Sequence, residues 1–141
     1  LYECLLFFVN LNIMEKYYFS VLTNKYADFS GRARRKEYWM WTLYVTLIFI
    51  LAMIMDNVLG LNFELLGQDL GYGWLYMLAG IINFIPGLSI VVRRLHDVGK
   101  SGWFYLIILI PIIGFIWILI LLCSDGVKEE NKWGTNPKLI D

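Results

Sequence analysis

A chain of 141 residues that is 59% hydrophobic and 17% charged has room for one domain. It is more apolar than a soluble domain, in which charged residues run to about 25%. Twelve basic and twelve acidic residues cancel to a formal net charge of zero, which leaves no broad basic face for nucleic acid.

Two cysteines, Cys4 and Cys123, stand at opposite ends, with no CxxC pair and a single histidine. Neither a disulfide framework nor a zinc site is indicated, and nothing implies a cofactor. Leu1 to Ile13 is apolar but too short to span a bilayer. It lacks the basic start and small-residue cleavage site of a signal peptide. We read residues 1–13 as a misassigned leader, Met14 as the start, and 14–138 as one membrane domain.

From Met14 to Phe29, Tyr17, Tyr18, Val21, Leu22, Tyr26 and Phe29 recur at helical spacing. The pattern predicts a short amphipathic helix, lying in the membrane interface or packed on the rim of the bundle. Ser30 is placed to cap a new helix. After the basic run Arg32, Arg34, Arg35 and Lys36, a first span covers about 38–55, with Tyr38, Trp39 and Trp41 as an aromatic belt. Asp56 and Asn57 close it, and 56–70 reads as a short acidic loop without a basic residue.

Leu70 to Val92 carries no charge, and neither does Ser101 to Ser124. As helices each reaches about 30 Å, the thickness of a bilayer core. They supply a second span at about 71–92 and a third at 103–123. Gly73, Gly80 and Gly87 recur every seven residues with Asn83 nearby. Such a small-residue stripe lets helix backbones approach closely, against another span or a second copy. Between the two stretches lies a charged knot, Arg93-Arg94-Leu95-His96-Asp97-Val98-Gly99-Lys100-Ser101-Gly102, read as a tight turn at the membrane surface. A polar tail, 124–141, follows.

Of the twelve basic residues, six precede the first span, three lie in the knot, three in the tail and none in 38–92. The positive-inside rule therefore puts the N-terminus and the 93–102 loop in the cytoplasm. An odd number of spans carries the tail to the other side. If Pro111 and Gly114 make the third stretch re-entrant, the tail returns to the cytoplasm.

Gly99-Lys100-Ser101 is not a phosphate-binding loop, because that pattern needs glycine where Arg94 stands. His96 and Asp97 could serve acid–base chemistry, yet neighbours on a helix point about 100° apart and no nucleophile accompanies them. The commoner role is structural, satisfying loop groups or pairing with arginines. Arg32, Arg34, Arg35 and Lys36 with Arg93, Arg94 and Lys100 form a candidate basic collar for anionic head groups.

Two long motifs resemble a known family. Phe29-Ser30-Gly31-Arg32-Ala33-Arg34-Arg35-Lys36-Glu37-Tyr38-Trp39 and Arg93 to Trp103 are similar to the opening and central signatures of the bacterial inner-membrane family catalogued as domain of unknown function 805. Pro111-Ile112-Ile113-Gly114 and the Asp125 to Pro137 tail resemble its end. The resemblance covers about Met14 to Lys138 and implies a small multi-span membrane protein with no established activity.

The sequence thus predicts an all-α integral membrane protein of three transmembrane helices after an amphipathic helix. Its leading function is a non-enzymatic bacterial inner-membrane component that engages anionic lipid or a protein partner, as a possible homo-oligomer. The alternatives are an oligomeric transport or permeation subunit and, third, an embedded enzyme using His96 and Asp97. The spans hold no internal charge, which counts against ion coupling.

Overall fold

The computed structural model describes residues 11–139. Most of the 1–13 leader expectation therefore lies outside the described residues. The described part of the chain opens as one continuous helical segment: α-helix Leu11–Met14, a π turn Glu15–Phe19 and α-helix Ser20–Thr23. It ends six residues short of the expected boundary, leaving Tyr26 and Phe29 exposed. Tyr18 and Val21 instead enter a core with Trp41, Tyr44, Val45 and Ile90, so this face packs on the bundle. Ser30 does not cap a helix. Its N–H donates to Asp28 Oδ1 at 2.9 Å, closing a local turn.

The first long helix, Arg35–Leu59, has neither glycine nor proline inside it to break an apolar run. It runs through Asp56 and stops at Gly60, whose φ of 65° and N–H bond to Asp56 O form a left-handed cap. Asp56 is fully buried. Its carboxylate accepts the N–H groups of Gly73 and Leu75 at 3.0 Å and Tyr76 at 2.9 Å. These are among the donors left orphaned where the next helix begins. The residue read as a stop signal therefore also starts the second helix.

The acidic loop is a β-hairpin, a departure from the all-α expectation. Strand β1 (Asn62–Leu65) pairs antiparallel with β2 (Gln68–Gly73). Leu66 and Gly67 both have positive φ, 54° and 77°, as a type I′ turn requires.

The second long helix, Trp74–Asp97, contains Pro86 and carries the first part of the knot as its last turns. The turn itself is confined to Val98–Ser101. Gly99, at φ 78°, ends the helix. Its N–H bonds His96 O while Lys100 N–H bonds Leu95 O, the paired closure of a Schellman motif.

The third apolar stretch is not one helix. A 3₁₀ helix, Gly102–Leu109, gives way at Ile110–Ile112 to an α-helix, Ile113–Cys123. Each half is about 16 Å long, roughly half a bilayer core. The break is a γ-turn: Ile113 N–H reaches Pro111 O at 2.7 Å with Ile112 at φ 64°, ψ −63°. The halves fold against one another so closely that a Cβ on Gly114 would lie 1.8 Å from Ile107 O. This hairpin returns the chain to the end of the bundle where the knot lies. The tail accordingly packs on the knot, contrary to the far-side placement that an odd span count gives.

Both long helices are apolar and long enough to cross a membrane, and only 11% of the apolar window of the first is buried inside the protein. A soluble core helix would be mostly buried. Here Leu47, Ile50, Leu51, Ile54 and Val58 face outward.

Candidate functional site

The polar centre of the molecule is built where three segments meet: the 30–34 linker, the end of the second long helix and the returning tail. Each contributes for a local reason. Ala33 N–H bonds Arg93 O at 3.0 Å, fastening the linker across the helix end and aiming Arg32 inward. The last helical turn presents Arg94 and Asp97 on one face, as an i,i+3 pair does. Gly126 lets the tail pass directly over Asp97, since a Cβ there would stand 2.1 Å from the carboxylate.

Asp97 sits between two guanidinium groups. Arg32 Nε and Nη2 lie 3.0 Å from Oδ1, and Arg94 Nη1 donates to Oδ2. All three side chains are nearly inaccessible, a state that demands pairing, because an isolated buried charge costs several kcal/mol.

The remaining guanidinium donors hold the tail by its backbone. Arg32 donates to Val127 O, to Glu129 O at 3.0 Å and to Gly134 O at 3.2 Å. Arg94 donates to Leu122 O at 3.2 Å and to Ser124 O. Val127 N–H answers by bonding Asp97 O at 2.9 Å. Four tail carbonyls and that of Leu122, in the last turn of the preceding helix, thus converge on two arginines, a clasp that lysine, with one compact head, could not reproduce.

His96 belongs to the same clasp. Its Nδ1 lies 3.1 Å from Gly31 O; a carbonyl only accepts, so Nδ1 carries the proton. The ring stacks on Trp133 at 4.4 Å and 10°, and His96 O accepts Asn131 Nδ2 at 3.0 Å. His96 and Asp97, though adjacent, serve different partners, His96 holding Gly31 and Trp133 and Asp97 holding Arg32 and Arg94.

The proposed collar divides in two. Arg32, Arg93 and Arg94 turn inward. Arg93 donates to Glu37 Oε1 at 3.0 Å, and Lys25 Nζ reaches the same oxygen at 3.3 Å. Arg35, Lys36 and Lys100 are exposed and Arg34 half-buried. Arg35 pairs with Asp125 at 3.4 Å, Lys36 lies over Tyr17 and Lys100 over Phe104.

The small-residue stripe divides as well. Gly87 and Gly80 face the first long helix, where added Cβ atoms would meet Trp41 at 3.1 Å and Phe49 at 3.9 Å. Asn83 accepts Tyr18 Oη–H at 3.1 Å and donates to Ala79 O. Gly73 lies just outside the helix, pressed against Leu61 O. Sequence reasoning missed Asp56 and the Glu37–Lys25 pair. The available signal for Glu37 was an acid inside a basic run; for Asp56 there was none beyond a charge at a span's end. No group of three metal-ligating side chains forms among the described residues.

Two long, outward-facing apolar helices capped at one end by a buried ionic clasp define a small helical integral membrane protein. The chain belongs to the family described as "Protein of unknown function (DUF805)", whose model matches residues 26–135. It is 44% identical over 124 residues to inner membrane protein YhaH of Escherichia coli, covering 87% of this chain and 97% of that protein. To inner membrane protein YhaI of the same organism it is 40% identical over 123 residues, covering 87% and 96%. No solved structure matches. This is an inner-membrane protein of a family without assigned activity.

Proposed function

We propose that the chain is a non-enzymatic component of the bacterial inner membrane whose charged end lies in the cytoplasm and rests on anionic head groups. In this reading two helices cross the bilayer, while the Gly102–Cys123 hairpin dips in and returns. The N-terminal segment, knot and tail then share the cytoplasmic side. The basic residues clustered at that end, against none in the β-hairpin, support the orientation. The non-enzymatic reading rests on one observation: the single histidine and its neighbouring aspartate are committed to the clasp, His96 to Gly31 and Trp133 and Asp97 to Arg32 and Arg94. At the surface of that end, among the described residues, exposed bases outnumber exposed acids, Lys16, Arg35, Lys36, Lys100, Lys128, Lys132 and Lys138 against Glu15, Asp125, Glu129 and Glu130.

The test is native mass spectrometry of the protein released from mixed bilayers. Phosphatidylglycerol should be retained at least fivefold over phosphatidylcholine, the selectivity expected of about one unscreened basic contact. Equal retention of the two lipids would remove lipid contact from the account.

A further inference from the structure

A pocket of about 290 Å³ lies between the N-terminal helical segment and the start of the first long helix. Its lining includes Lys16, Ser20, Asn24, Lys25, Arg34 and Glu37. We infer that this pocket is a binding site for the phosphate of an anionic phospholipid head group. The inference rests on the cytoplasmic, lipid-contacting reading above and narrows it to one place.

Three cations and one acid line the pocket, and the acid is already engaged from below. Glu37 Oε1 accepts Arg93, which is 2% exposed, so its charge is balanced by a group that does not reach solvent. Lys36 adds a further cation at the rim, since Lys36 and Lys16 both lie within 6 Å of the Tyr17 ring, at 5.7 and 5.8 Å. The nearby Asp28 offsets part of this, as its carboxyl feels both Arg93 and Lys25. Even so, among the described residues Lys16, Lys25, Arg34 and Lys36 outnumber Glu37 and Asp28 at the pocket and its rim.

One of these cations is held in place. Lys25 Nζ is tethered to Glu37 at 3.3 Å and its carbonyl accepts Ser89 Oγ at 3.2 Å, which ties the lip of the pocket to the second long helix. Groups positioned beforehand lose less entropy on binding. A guanidinium fork and two ammonium groups are donors suited to phosphate oxygens. Tyr17, also in the lining, supplies an apolar wall beside them. The pocket adjoins the point where the apolar first helix begins, the level of a head group. Lipid and free phosphate share this chemistry.

The experiment uses the full chain in bilayers containing a photoreactive phosphatidylglycerol or phosphatidylcholine, with labelled peptides mapped. K16Q/K25Q/R34Q should lower phosphatidylglycerol labelling at least tenfold, each charge contributing up to about fivefold. K100Q/K128Q/K132Q, equal in charge change and outside the pocket's lining, should lower it less than threefold. Equal losses would overturn the pocket while leaving general lipid contact intact. No preference over phosphatidylcholine in the wild type, together with no protection by inorganic phosphate, would overturn both. Should the first triple misfold, K16Q alone must lower labelling at least twofold, and an unchanged signal would refute the site. Protection of the wild type, but not K16Q, against heating by inorganic phosphate in detergent, without any preference for the lipid, would keep the site and name free phosphate as its ligand.

Discussion

Arg32 closes on Asp97 across 65 positions of chain, with Nε and Nη2 both 3.0 Å from Oδ1, while Arg94 takes the other oxygen. Removing one partner of such a buried group leaves the rest uncompensated, at about 3–5 kcal/mol. Asp97→Asn should therefore lower stability in detergent by about that amount, read by denaturant or thermal unfolding. Arg32→Lys keeps the charge but gives up most of the carbonyl contacts, so trypsin should cut after Lys128 and Lys132 at least tenfold faster. A loss under 1 kcal/mol with unchanged proteolysis would mean the clasp is solvated and the tail free.

The two helix-facing glycines differ in the space they have. A Cβ on Gly87 would stand 3.1 Å from the Trp41 ring, whereas one on Gly80 meets Phe49 at an ordinary 3.9 Å. Gly87→Leu should destabilise by about 1–3 kcal/mol through overpacking. Gly80→Ala should be neutral or stabilising by up to about 1 kcal/mol, because alanine is the better helix residue. Equal effects in thermal unfolding would show that neither glycine sets the helix spacing.

Asp56 joins the end of one long helix to the start of the next through three backbone N–H groups. Asp56→Ala should cost about 1–3 kcal/mol, the penalty of leaving buried donors without an acceptor. Hydrogen exchange at the Leu75 and Tyr76 amides should quicken with it. Unchanged exchange there would assign the cap to other groups.

How much of this was legible follows the reach of each interaction. The two long apolar helices and the polar knot show in the sequence because hydrocarbon excludes charge at every position it touches. Asp56 read only as a boundary, since its amide partners lie 17 to 20 residues on and backbone donors leave no side-chain signature. The tail escaped for the same reason: Arg32 and Arg94 hold it by carbonyls that any residue provides. The collar failed in part because exposure cannot be read from a run of arginines, of which Arg32 lies inside and Arg35 outside. The hairpin did leave a trace, glycines at 67, 71 and 73, but Leu66 occupies a left-handed turn position that asparagine or glycine would have announced.

At the opposite end of the molecule, Asp69 pins the β-hairpin. Its carboxylate accepts Gly71 N–H at 2.7 Å and Asn62 Nδ2 at 2.8 Å, and these bonds hold its pKa below the ordinary aspartate value. A depressed folded pKa gives stability that is complete above the unfolded value, about 3.9, and is lost as pH falls through the folded one. The Gly71 amide resonance should stay constant from neutral pH to about 4 and shift only in more acid solution. Asp69→Asn should abolish that shift. Movement centred above pH 4 would contradict the hydrogen-bonded carboxylate.

The central claim is that the third apolar stretch turns back, so that knot and tail emerge on one side. In a background with Cys4 and Cys123 replaced by serine, single cysteines at Lys100, Lys138 and the fully exposed Leu66 would be treated with a membrane-impermeant thiol reagent. The expected result is that positions 100 and 138 react in inside-out vesicles and position 66 in right-side-out ones. Reaction of position 138 together with 66 would mean a third full crossing and contradict the account.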